Sequence, residues 1–279
     1  MQELRDRVAV VTGAGSGIGE GIARAAAAAG MRVVAADIEL DAAERVAKRI
    51  VEQGGEALAA HCDVTRRADL DALADAAWSR FGGCHLLCNN AGVLVRGPLQ
   101  SMSDADWRWV LEVNLFGVVG GIQAFVPRLI EQRAPAHVVN TASMAGLCIL
   151  PEYGVYTASK FAVVSLSETL RADLAPHGIG VSVLCPGGVT TRIMESDRNR
   201  PDGVRAALPA LSPDSQEQLA AARAQEEMLA PDQVGECVLD AVRADEPWVI
   251  THPSWRPRVA ERSEALLAAF DRAAKRASR

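Results

Sequence analysis

Tyrosine and lysine are nearly missing from this chain of 279 residues: there are two tyrosines, Tyr153 and Tyr156, and three lysines, Lys48, Lys160 and Lys275. Every other basic residue is arginine. Basic blocks are missing too. The 29 Lys and Arg against 35 Asp and Glu leave a formal net charge of −6, which argues against nucleic acid and anionic membrane surfaces as main partners. No apolar run reaches the length expected of a membrane span, and residues 1–7 are charged and polar where a secretion signal would be apolar. The six cysteines, Cys62, Cys84, Cys88, Cys148, Cys185 and Cys237, lack the close pairing of a metal site and sit mostly in apolar segments. They read as reduced core thiols of a cytoplasmic protein, with no metal expected. Gly/Ser linkers and internal repeats are absent as well, so a single domain over 1–279 is the economical reading.

What is present is an alternation. Short apolar or β-branched runs predict strands over 8–12, 32–37, 86–89, 137–141, 180–185 and 248–251, with a weaker one over 56–62. Helical patterns over 17–29, 41–52, 66–80, 104–130, 153–175 and 231–244 lie between them, and a terminal helical extension starts at about 256. Alternation of this kind specifies βαβ units, hence an α/β fold: a doubly wound, Rossmann-like three-layer sandwich around a predominantly parallel sheet of seven strands. Residues 190–230 break the pattern and are expected to form a substrate lid anchored by Ile193, Met194, Leu208 and Leu211.

The first predicted strand runs into Thr12-Gly13-Ala14-Gly15-Ser16-Gly17-Ile18-Gly19 and then into an Ala-rich helix. Glycines there let the backbone approach a pyrophosphate, and the helix start offers unpaired N–H groups. Asp37, ending the second strand, can accept both hydroxyls of an adenosine ribose and would repel a 2′-phosphate. No base stands beside it, since Ile38, Glu39 and Ser16 are all non-basic. NAD is therefore expected over NADP.

The spacing Thr-Gly-x-x-x-Gly-x-Gly resembles that of the short-chain dehydrogenase/reductase family. Further matches follow in order: Asp63-Val64, Asn89-Asn90-Ala91-Gly92, Asn114, Ser143, Tyr156-x-x-x-Lys160 and Pro186-Gly187, so that the resemblance covers about residues 5–255. It implies that Asp63 and Val64 hold the adenine and that Asn90, with Ala91 and Gly92, supports the central sheet and cofactor region. It further implies that Pro186 and Gly187 lie at the cofactor and that Val189 and Thr191 hold the nicotinamide carboxamide. It also implies that Asn114 holds a water linking Lys160 to solvent.

Tyr156 and Lys160 are four apart and share a helix face. Oxidation of an alcohol needs a base for the hydroxyl proton while hydride leaves, and a tyrosine with a pKa of about 10 needs a neighbouring cation to serve. Lysine suits this place because its ammonium can relay a proton, which a guanidinium cannot. Ser143 is the expected partner of the substrate oxygen. Ser143, Ala145, Leu150, Tyr153, Gly188, Ile193 and Met194, with Leu94 and Val95 across the cleft, form the expected substrate pocket; they are largely apolar and suit a hydrophobic secondary alcohol or its ketone. Tyr153 can either line this pocket or pack against the lid. His61, His137 and His252 receive no role. Residues 125–128 and 248–257 look like a subgroup that includes lignin-derived aryl-alcohol dehydrogenases. Family members commonly pair the helices over 107–130 and 153–175, so a homotetramer, or a homodimer, is expected. The rival reading is an NAD-binding sensor of the same fold without catalysis.

Overall fold

In the computed structural model, which describes residues 1–201 and 227–278, the seven strands form one sheet. They are β1 (Val8–Thr12), β2 (Arg32–Asp37), β3 (Ala57–His61), β4 (Leu86–Asn89), β5 (Ala136–Thr141), β6 (Ile179–Cys185) and β7 (Trp248–Ile250). Their order is β3-β2-β1-β4-β5-β6-β7, and every pairing is parallel. Val10 of β1 lies between Val34 of β2 and Leu87 of β4. Both faces of these strands are covered, which is why β1 and β2 read as unbroken apolar runs rather than alternating ones. The connections leave β1 in opposite directions toward β2 and β4, and ligands of open α/β sheets bind in the crevice at such a reversal.

The helices are α1 (Gly17–Ala28), α2 (Leu40–Glu52), α3 (Arg67–Phe81), α4 (Asp104–Leu111), α5 (Gly117–Gln132), α6 (Gly154–Leu174), α7 (Pro231–Ala244) and α8 (Arg256–Ala277). Ile22 of α1, Val46 and Ile50 of α2, and Val234 and Val238 of α7 share one core cluster with β1 and β2. On the other face Leu70 and Leu73 of α3, Phe125 and Leu129 of α5, and Leu174 of α6 pack around Val8, Val10 and Leu87. Helix α1 crosses α7 at glycines: a Cβ on Gly21 would sit 2.1 Å from the Pro231 carbonyl oxygen. These two layers clamp the strand ends that carry the site.

Two expectations change. The helix expected over 104–130 is broken by a wide turn, Glu112–Phe116, in which the Gly117 N–H bonds the Glu112 carbonyl. The stretch Asp104–Gln132 is also long and apolar enough by length and composition to cross a membrane, contrary to the sequence reading; more than half of its apolar window is buried inside the protein. Of the expected lid, residues 202–226, with Leu208 and Leu211, lie outside the described residues. Its first part forms a short 3-10 helix, Ile193–Asn199, and its two ends meet where Val189 bridges Leu229.

Candidate active site

At the end of β1 the chain turns through Gly13 (φ 65°) and Gly17 (φ 57°), left-handed conformations that suit glycine. A Cβ on Gly19 would meet the Gly13 carbonyl oxygen at 2.1 Å, so the loop can fold onto α1 only with glycine there. Thr12 ties this loop to β4: its hydroxyl oxygen accepts from the N–H groups of Asn90 (3.0 Å) and Ala91 (3.2 Å). The Asn90 amide donates to the Thr12 carbonyl at 3.0 Å, and its oxygen accepts from the Thr141 hydroxyl of β5. Asn90 thereby joins three strand ends.

Asp37 is buried, and each of its oxygens takes one backbone N–H, from Gly15 (2.8 Å) and Glu39 (2.9 Å). Burial raises its pKa above the usual carboxylate value, opposed by those two hydrogen bonds. Asp63 accepts from the N–H and hydroxyl of Thr65. One continuous cleft runs from Asp37, Asp63 and Val64, past Gly13, Ser16, Gly17 and Ile18, to Asn90, Ala91, Gly92, Tyr156, Lys160, Pro186 and Thr191. Gly15, Gly19, Gly187, Val189, Asn114 and Ser143 are not among the residues that line it. Val189 packs against the α1–α7 core at the base of the excursion.

At the far end the Ser143 hydroxyl hydrogen-bonds the Tyr156 phenol. Ser143 also caps the turn after β5, accepting from the Ala145 N–H at 3.1 Å. Burial pushes the Tyr156 pKa up to about 12, with the Ser143 hydrogen bond opposing it. Lys160, on the next turn of α6, is also buried, and burial lowers its pKa to about 8. Its ammonium donates to the Thr141 carbonyl at 2.8 Å and lies 5.5 Å from the Tyr156 ring centroid. Asn114 sits in the wide turn behind them. Its amide exchanges hydrogen bonds with the backbone of Val93 (2.8 and 2.9 Å) and donates to Ser159 (3.1 Å), which in turn donates to the Tyr156 carbonyl.

Tyr153 and Tyr156 pack with Ala145, Leu94, Leu150 and Ile193 in one apolar cluster, so Tyr153 joins the expected pocket group. Val95 does not. It packs away from that cluster with Val93, Trp109, Val110 and Val155, because neighbours on an extended segment point to opposite sides.

Sequence reasoning missed two groups. Buried His252, just after β7, holds the Pro186–Gly187 loop: its Nδ1 accepts the Gly187 N–H at 3.1 Å, and its Nε2 donates to the carbonyls of Gly188 and Glu227, both at 3.0 Å. The second group is the strap formed by 192–201. Ser196 accepts from the Leu94 N–H, Arg198 pairs with Glu39 at 2.8 Å, and buried Arg200 pairs with buried Asp106 at 2.8 Å while stacking 4.6 Å over Trp109. Against the upward pull of burial, hydrogen bonds from Ser103 and Arg200 hold the Asp106 carboxyl below its ordinary value.

The model of the short chain dehydrogenase family matches residues 7–202, the span that carries the cleft, Ser143, Tyr156 and Lys160. The chain belongs to that family. A 1-deoxy-11-beta-hydroxypentalenate dehydrogenase of Streptomyces exfoliatus is 42% identical over 194 residues, 69% of this chain and 70% of that one. A 3beta-hydroxysteroid dehydrogenase 1 of Eggerthella lenta is 35% identical over 212 residues, 76% of this chain and 81% of that one. The crystal structure of a short-chain dehydrogenase/reductase from Burkholderia phymatum in complex with NAD superposes with a TM-score of 0.91 at 40% identity, covering 96% of this chain and 97% of that one. This short-chain dehydrogenase fits a dinucleotide on its own geometry: the buried Asp37 carboxylate, both oxygens half-satisfied, opens on the same cleft as the glycine turn and Lys160.

Proposed function

We propose that this NAD-dependent dehydrogenase/reductase, which acts on CH–OH groups, interconverts a hydrophobic secondary alcohol and its ketone with Tyr156 as general acid/base. The observation that carries the reading is the buried Ser143–Tyr156–Lys160 arrangement beside an apolar wall of Tyr153, Leu94, Leu150 and Ile193. Those four side chains are apolar, the neighbouring Arg192 is paired with Glu195, and relatives named for a hydroxypentalenate and a hydroxysteroid support a bulky apolar alcohol.

NAD, when bound, supplies the hydride acceptor. Asp37 would take the adenosine ribose hydroxyls beside the N–H groups of Gly15 and Glu39, and the Gly13–Gly19 turn would receive the pyrophosphate. Asp63 and Val64 would hold the adenine, and Thr191 would hold the nicotinamide end. Ser143 holds the substrate oxygen beside the Tyr156 phenol. In the ligand-free protein the phenol is far from ionised and Lys160 is turned to Thr141, so Tyr156 becomes a base only when added positive charge in the closed site favours its phenolate. Lys160, whose lowered pKa eases loss of a proton from its ammonium toward Asn114 and solvent, then takes up the phenol proton in its place. The catalytic unit is one domain over 1–279, in a cytoplasmic homotetramer or homodimer; the exposed Phe116 and Ile250 support pairing through the α4–α5 face and the β7 edge.

The test is a panel of secondary alcohols and ketones, followed by the absorbance of the reduced cofactor, with the Tyr156→Phe variant alongside. Turnover should fall about 10²–10⁴-fold in the variant, with NADH binding kept within about threefold. Full activity in the variant would overturn the mechanism. NADH binding without turnover of any alcohol would favour the sensor instead.

A further inference from the structure

The strap over 192–201 reaches past the substrate pocket to the opposite end of the cleft. There Glu39, two residues beyond Asp37, accepts from Arg198 Nε at 2.8 Å and from the Asn199 side chain. Arg198 also donates from Nη1 to the carbonyls of Arg192 and Glu195, both at 3.1 Å, which closes the short 3-10 helix on itself. Its guanidinium is thus fixed by three acceptors. Among the described residues Nη2 has no protein acceptor, while Arg198 lines the same cleft wall as Asp37, Ser16 and Gly17. A planar, permanently charged donor held this firmly, with one amino group to spare, suits the oxygen-rich diphosphate and ribose of a nucleotide.

We propose that Arg198 is a binding residue for the adenosine-diphosphate half of the cofactor, carried over the cleft by the strap and aimed by Glu39. The proposal rests on the assignment of this cleft to NAD. It makes the strap serve both ends of the site: Ile193 packs on the tyrosine cluster, and Arg198, five residues on, grips the nucleotide. Glu39 has a selective use as well. It pairs with the cation that acts on Asp37, so that among the described residues this charge is not free to welcome a 2′-phosphate.

The test is calorimetric binding of NADH, ADP-ribose and reduced nicotinamide mononucleotide to the wild-type protein, Arg198→Gln and Glu39→Gln, with thermal unfolding of each as the check on folding. Arg198→Gln should weaken NADH and ADP-ribose about tenfold, the loss of one charge-assisted hydrogen bond, and leave the mononucleotide within about twofold. Glu39→Gln breaks the pair but keeps the cation, and should cost ADP-ribose no more than about threefold. ADP-ribose binding should also lose salt sensitivity in Arg198→Gln. Equal losses in the two variants would make Arg198 a latch only and overturn the proposal, as would equal losses for all three ligands, or none. A wild-type protein that bound neither NADH nor ADP-ribose would remove the cofactor assignment itself, and this proposal with it.

Discussion

His252 and Gly187 are 65 residues apart and joined by one hydrogen bond, 3.1 Å from the glycine N–H to imidazole Nδ1. Because Nδ1 accepts, the proton sits on Nε2, where the carbonyls of Gly188 and Glu227 receive it. A single neutral ring thereby clasps both ends of the excursion that begins after β6. Contact is close enough that a Cβ on Gly187 would lie 2.7 Å from the ring. His252→Ala removes the partner of three backbone groups in part-buried hydrogen bonds. It should destabilise the protein by about 2–3 kcal/mol and raise the KM for NAD, read by urea unfolding and by initial rates.

Lys160 sets up an opposition between activity and stability. Its folded-state pKa of about 8 lies below the ordinary 10.5, so below pH 8 the folded protein carries the full cost of a buried ammonium. That cost fades as pH rises from 8 to 10.5, and stability rises through the same window. Lys160→Met should abolish turnover yet stabilise the ligand-free protein at pH 7 by about 2 kcal/mol, after allowing for the lost bond to Thr141. Unfolding curves at pH 7 and at pH 10.5 check it, because the gain should vanish at the higher pH.

His137, fully buried in β5, works at the acid side. Its Nε2 donates to Ser182, whose hydroxyl donates in turn to the Glu246 carbonyl, and burial lowers the ring pKa from 6.5 to about 4. The unfolded chain binds this proton first, so stability is lost as pH falls from 6.5 toward 4. Between pH 7 and pH 5 the loss should be about 2 kcal/mol. His137→Gln should flatten that part of the profile, measured by denaturant unfolding at the two pH values.

Asp37 carries the cofactor preference. Asp37→Ser removes the repulsion of a 2′-phosphate along with the acceptor for the ribose hydroxyls. The kcat/KM for NAD should fall at least about tenfold, and the NADP-to-NAD ratio should rise; an unchanged ratio would contradict the part given to this carboxylate.

Strand positions were readable because doubly covered strands need continuous apolar runs, and β1, β2 and β4 match their expected limits. The glycine turn was readable because its residues are forced by backbone approach. The wide turn at Glu112–Phe116 was not, since it is fixed by bonds between Asn114 and Val93, 21 positions away, and not by local pattern. His252 was hidden for a similar reason: its partners are peptide groups, which every residue offers. Arg198 was one arginine among many until the strap brought it to Glu39. Leu94 and Val95 are both apolar, and only the alternation of the extended segment separates them, sending Leu94 to the tyrosines and Val95 to Trp109.

The wide turn also fixes the length of the chain around it. Gly121 of α5 faces Asn89 of β4 so closely that a Cβ would touch it, while Trp109 of α4 lies under Arg200. Both ends of the bent helix are thus seated against fixed neighbours. Deleting one residue between them would restore a regular ladder but rotate one half against the other by about 100°. Asn114 would swing out from between Val93 and Ser159. Among natural variants of this chain, insertions and deletions should therefore collect in the excursion after β6 and stay out of 104–132, where the spacing works as a ruler.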